Sequence, residues 1–161
     1  MTSDMMKISI EDIKKLRGKT GAGIADCRRA FEEAKGDFKH AEELLRKWGV
    51  DKASEKSDRS VGAGLVDTYI HAGGRVGAMV EVNCETDFVA KTEEFKALVR
   101  EIAMQVAAMD PIDVSELLGQ EYIRDSAKTV DNLVKETIAK VGENIVIRRF
   151  ARFELGTEII S

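Results

Sequence analysis

An α+β fold, with a small helical head followed by a sheet-and-helix body, is what this 161-residue sequence predicts. Three observations carry that reading. Through about residue 49 the apolar residues recur at three- and four-residue spacing, as in helices with one buried face; from residue 65 they alternate, as in strands. Charge divides along the same line: residues 1–60 hold 14 basic and 12 acidic side chains, residues 61–161 hold 11 and 17, giving a head at +2 and a body at −6. A single proline, Pro111, leaves long helices free to run.

The elements follow in order. Ser9, with Asp12 three residues on, opens a first helix whose stripe is Ile10, Ile13 and Leu16. Lys19-Thr20-Gly21-Ala22-Gly23 breaks it. A second helix carries Ile24, Cys27, Ala30, Phe31 and Ala34 and stops at Gly36. Asp37 caps a third, with Phe38, Ala41, Leu44, Leu45 and Trp48, which is expected to stop at Gly49. Residues 50–60 suit a linker or an exposed helix. Leu65–His71 and Val76–Cys84 alternate around Gly73-Gly74, a hairpin signature. Thr92 caps a helix over Glu93–Met109 that ends before Pro111. Ser115–Leu118 reads as a short helical turn and Glu121–Val141 as a longer helix, with a stripe of Ile123, Val130, Leu133, Val134, Ile138 and Val141. Asn144–Leu155 alternates again, so the body reads β-β-α-α-β around a three-stranded antiparallel sheet. The expected division is 1–49 for the head, 50–62 for the linker and 63–161 for the body.

Composition excludes several classes of function. A net charge of −4 does not suit a generally basic nucleic-acid binder, and no apolar run approaches the roughly 20 residues that span a bilayer. Met1–Lys7 has no apolar signal core, so no leader is expected. Cys27 and Cys84 are far apart with no Cys/His cluster near them, which argues against a disulfide framework or zinc site and for a reducing, cytoplasmic compartment.

Strand alternation carries a further consequence. Leu65 and Tyr69 oppose Val66 and Ile70; Ala78 and Val80 oppose Met79; Ile147 opposes Val146 and Phe150 opposes Phe153. Both sheet faces are thus apolar, while the helices available cover one. The uncovered face is expected to meet another protein surface.

Catalytic chemistry finds few candidates. His40 and His71 lack metal-spaced or nucleophilic partners, and Gly21-Ala22-Gly23 and Gly62-Ala63-Gly64 lack the remainder of a phosphate loop. No catalytic, cofactor-binding or metal-binding residue is expected. Arg148 and Arg152, read as sharing a face with Phe150 between them, suit either a nucleic-acid clamp or, better, packing of their aliphatic stems over the sheet. The segment that resists a bland account is Asn83-Cys84-Glu85-Thr86-Asp87-Phe88-Val89-Ala90, where a strand hands over to a helix and polar residues surround one large aromatic. Thr86 caps a helical turn in either of two readings: Phe88 folded back into the core, or Phe88 exposed as a wedge against a partner.

Leu16–Gly23 (LRGKTGAG), Asp26-Cys27 with Ala30 and Gly36-Asp37, Val80–Ala90 (VEVNCETDFVA) and Val141–Arg149 (VGENIVIRR) together resemble the elongation factor Ts family, the exchange factors of elongation factor Tu. The resemblance runs in order along nearly the whole chain. It implies a ubiquitin-associated-like three-helix head that docks on the nucleotide-binding domain of elongation factor Tu, with Arg17, Ile24 and Ala25 at its contact positions. It also implies that Asp87 and Phe88, within Thr86–Val89, intrude beside the partner's Mg²⁺ and phosphate site so that GDP leaves without bond chemistry. Where the family commonly carries methionines, this chain has Ile24-Ala25. Longer members carry a second core half and a coiled-coil insertion that these residues do not encode, and short members pair through the core sheet, so a homodimer is expected. The rival class is a binding module without exchange activity that uses only its three-helix head.

Overall fold

A computed structural model describes residues 8–158. The expectation placed on Met1–Lys7 lies outside them. Three helices open the chain: α1 (Ile10–Thr20), α2 (Ile24–Glu33) and α3 (Phe38–Ser54). Their starts are chemically specified. The Ser9 hydroxyl accepts the Asp12 amide at 3.0 Å and the Asp37 carboxylate accepts the His40 amide at 2.6 Å, each satisfying a donor that the first helical turn leaves unpaired. Gly21, at φ 71°, closes α1 in the left-handed conformation that costs glycine no Cβ clash. Ile13, Leu16, Cys27, Ala30, Phe31, Ala41 and Leu45 form a separate small core for this head. Ile10, expected in the same stripe, is instead 71% exposed, because it is the first residue of its helix and overhangs the packed face.

The third helix does not stop at Gly49. It continues for five more residues, and its last turn buries Ala53 in the core of the body. Gly49 marks close helix packing: a Cβ placed there would stand 3.3 Å from the Ala139 methyl group. A glycine inside a helix reads from sequence as a terminator, whereas here it admits a neighbouring backbone.

The body opens with β1 (Ala63–Ile70) and β2 (Val76–Cys84), followed by α4 (Asp87–Ala90), α5 (Glu93–Met109) and α6 (Val114–Gly119). A short hairpin comes next, β3 (Glu121–Tyr122) and β4 (Asp125–Thr129), then α7 (Val130–Val141) and β5 (Ile145–Glu154). The main sheet is antiparallel throughout, in the order β1-β2-β5. Val80, Val82 and Ile147 meet Phe95, Val99 and Ile102 of α5 in the larger core.

Residues 121–129 correct the sequence reading, which made them the first part of one long helix. Their backbone groups are claimed from outside. Gln105, 1% exposed on α5, donates its amide to the Glu121 carbonyl at 3.1 Å and accepts the Ile123 amide at 3.1 Å. Those two groups therefore need no helical partners, and Ile123 sits outward on the hairpin instead of on a helix stripe. Thr129 then starts α7 by accepting the Asn132 amide.

The register divides the sheet into two faces. Leu65, Val82 and Ile147 align under the helices, as do Tyr69 and Ala78. On the other side Thr68, Met79 and Ala151 form one row, and Ile70, Gly77 and Phe153 the next. Val66, Ile70, Met79 and Phe153 are all exposed there. Phe150 packs against the core while Phe153 does not, in keeping with the alternation. Among the described residues, no helix is long and apolar enough to cross a membrane.

Candidate functional site

Strand β2 ends at Cys84, whose thiol donates to the Thr86 carbonyl at 3.2 Å. Burial, and then the nearby Glu143 carboxylate, push this thiol's pKa up. Thr86, still extended, caps α4 by accepting the Val89 amide at 3.3 Å. A four-residue helix cannot hold itself. Val89 and Ala90 anchor α4 by burying their side chains in the core, and Glu143 clamps its start: one carboxylate oxygen accepts the Thr86 amide at 3.0 Å, the other the Thr86 hydroxyl at 2.7 Å.

That anchoring leaves Asp87 and Phe88 outward. The Phe88 ring is 82% exposed, so of the two readings left open by the sequence the core position is excluded in the free chain. A large aromatic held in water on a secured turn is a poor use of apolar surface unless something covers it. Of the four residues singled out in this segment, Asp87 and Phe88 present a surface, Thr86 joins the turn to Glu143, and Val89 faces inward as the anchor.

The same junction gathers a third segment. Asn144, 3% exposed, donates its backbone amide to Glu85 at 2.8 Å and its side-chain amide to the carbonyls of Ser57 and Arg59, at 3.3 and 2.9 Å. The chain leaving the head is thus tied to the turn that carries Phe88. Glu143 and Asn144 lie within the stretch VGENIVIRR, and their roles here depend on partners far off in the sequence. Two polar residues after the Gly142 helix stop were the available signal.

On the head, Arg17 lies in the last turn of α1 and Ile24 and Ala25 in the first turn of α2, flanking the Gly21–Gly23 loop. All three are exposed, Ile24 at 58% although it begins an otherwise buried stripe. A cleft of about 170 Å³ between this loop, α3 and α7 contains charged groups that already pair with one another: Lys19 with Glu42 at 2.7 Å, Lys52 with Asp26 at 2.8 Å and Arg46 with Glu136 at 3.1 Å.

The arginine strand departs from expectation. A bulge between Glu81 and Val82 leaves Arg148 without a partner across the strand, so Arg148 and Arg152 do not share a face. Arg148 donates to Asn83 at 2.9 Å, Arg149 to Glu81 at 2.8 Å and Arg152 to the Ala107 carbonyl at 3.0 Å. Arg149 also holds the Glu81 carboxyl below the usual carboxylate range. No group of three or more His, Cys, Asp or Glu that could hold a metal ion occurs among the described residues.

Comparison with known proteins bears on the same residues. A family model described as Elongation factor TS matches residues 85–161, which begin at the Phe88 turn. Elongation factor Ts of Thermoanaerobacter sp. (strain X514) is 45% identical over 197 aligned positions, covering 94% of this chain and 97% of the relative. Elongation factor Ts of Methylacidiphilum infernorum (isolate V4) is 40% identical, covering 94% and 97%. Elongation factor Ts of Nostoc sp. (strain PCC 7120 / SAG 25.82 / UTEX 2576) is 50% identical over 151 positions, covering 94% of this chain and 48% of that protein. The 197-position alignment is longer than the 161 residues of this chain, so the Thermoanaerobacter protein carries residues without a counterpart here.

Proposed function

The chain belongs to the elongation factor Ts family of translation elongation factors, and from that premise we propose that it is a guanine-nucleotide exchange factor for elongation factor Tu. The observation that carries the proposal is the Phe88 ring, 82% exposed on a turn clamped from behind. A ring already presented needs no rearrangement to enter a partner. The head, with Arg17, Ile24 and Ala25, docks on the nucleotide-binding domain. Asp87 and Phe88 then intrude beside the Mg²⁺ and phosphate site, with Thr86 and Val89 holding the turn, and GDP leaves. No covalent bond forms or breaks, so no catalytic residue or resident cofactor is invoked. By linkage, bound factor and bound GDP must weaken each other by the same factor.

Magnitude limits what one ring can do. Full burial of such a side chain is worth about 1.5–3 kcal/mol, which amounts to roughly one to two decades of release rate if all of it enters the barrier. Larger accelerations require docking energy from the head. The head (1–49) and body (63–161) act as two modules, joined by 50–62, whose first residues extend α3. The body pairs with a second copy through its bare sheet face, and the protein works in a bacterial-type cytoplasm.

The test is release of fluorescent GDP from purified elongation factor Tu. Wild type accelerates release; Phe88→Ala lowers the maximal rate while retaining binding; Arg17→Ala mainly raises the concentration needed. Binding without acceleration by the wild type would leave a binding module and remove the exchange reading.

A further inference from the structure

We propose that Glu143 is a positioning residue for exchange, acting through Phe88 without touching the partner; the inference rests on the exchange reading above. Its carboxylate reaches 57 positions back along the chain to take both the amide and the hydroxyl of Thr86. That hydroxyl in turn accepts the Val89 amide, so one side chain sets the capping group of the four-residue turn that aims the ring. The burial of Val89 and Ala90, with the Thr92 hydroxyl donating to the Val89 carbonyl at 2.7 Å, holds the far side of α4. Glu143 supplies the constraint at its start. It is itself held at the close of α7, where Gly142 at φ 76° turns the chain and the following residue, Asn144, bonds Glu85. Glu85 and Thr86, the two residues that lead into the Phe88 turn, are thus both held by one corner of the body.

A wedge acts only while it is aimed; a misaimed one still binds weakly but displaces nothing. Glu143→Ala is therefore expected to lower the maximal rate of GDP release by about tenfold. The half-saturating concentration changes less than about twofold, since the head contacts are untouched. Glu143→Gln, which keeps the reach and an acceptor oxygen, restores most of the rate. In the free protein, Glu143→Ala speeds hydrogen exchange at the Thr86 amide. The decisive arm is the Phe88→Ala background, where Glu143→Ala adds little further loss, because a residue that acts by aiming a ring has no effect without it.

Three results overturn the proposal: an unchanged maximal rate in Glu143→Ala, unchanged protection of the Thr86 amide, or full additivity with Phe88→Ala. Should Glu143→Ala fail to fold, Glu143→Asp carries the same test, since it keeps the charge and withdraws the carboxylate from Thr86. If the wild type itself fails to accelerate release, both the exchange reading and this inference fall. If wild type accelerates, Phe88→Ala impairs and Glu143→Ala does not, only this inference falls.

Discussion

Substitution of Met79 probes the proposed homodimer at its most exposed point of principle, the bare face of the central strand. Met79 lies in a row between Thr68 and Ala151, flanked by Val66, Ile70 and Phe153 on the same face, and is 51% exposed in a single copy. Full burial of a methionine is worth about 1.5–3 kcal/mol, so the exposed half retains about 1 kcal/mol for a partner to realise. In a twofold-symmetric interface each substitution is made twice, which brings the loss for Met79→Ala to about 2 kcal/mol, roughly 30-fold in dissociation constant. Met79→Glu goes further. Two carboxylates enter an apolar interface, each costing several kcal/mol to desolvate (order of magnitude), and the dimer should be absent at micromolar concentration. Neither change should disturb folding by more than about 0.5 kcal/mol, because the position faces water in the monomer. Sedimentation velocity across a concentration series, with a urea midpoint as the folding control, reads all of this. A wild type that stays monomeric at micromolar concentration, or a Met79→Glu protein that dimerises as the wild type does, refutes the reasoning.

Other substitutions and conditions test the packing. Gly64 sits at φ 146°, and a Cβ there would fall 2.1 Å from the Val82 carbonyl oxygen; Gly64→Ala should force β1 from β2 and lower stability by about 2–4 kcal/mol, read as a fall in urea midpoint. Gln105→Leu strands the Glu121 carbonyl and the Ile123 amide, so a loss of about 2–5 kcal/mol is expected, with faster amide exchange confined first to residues 121–129. The pKa values of the Cys27 and Cys84 thiols and of the Tyr122 phenol are all pushed up, first by burial. The native state therefore keeps protons that the unfolded chain gives up from about pH 8.5 upward, and stability should fall as pH rises from 8 to 10; a flat urea midpoint over that range contradicts the burial argument.

What the sequence disclosed and what it hid differ in a physical way. Ser9, Asp37, Thr92 and the Gly73-Gly74 turn act within four residues of themselves, and the elements they start or join are where local chemistry puts them. The features that were missed depend on distant partners. Residues 121–129 form a hairpin because Gln105 claims their backbone, and Gly49 stays helical because Ala139 packs against it. The bulge opposite Glu81 shifts the register by one residue, which is enough to separate Arg148 from Arg152. At the site, the spacing exposed the 83–90 segment as unusual but left open which way Phe88 pointed. A four-residue turn has no period from which a face could be read; its orientation is set by Glu143, far along the chain. The two apolar sheet faces, by contrast, follow from local alternation in β1 and β2, whereas the bulge brings Ile147 and Phe150 of β5 to the same face.

The central claim is that Phe88 acts as a wedge, and GDP release from elongation factor Tu measured with wild type and Phe88→Ala side by side tests it most directly. The account predicts strong acceleration by the wild type, a maximal rate lower by about one to two decades in the variant, and retained binding of both. Equal acceleration by the two proteins would contradict it, for a ring left 82% exposed in the free chain would then have no part in exchange.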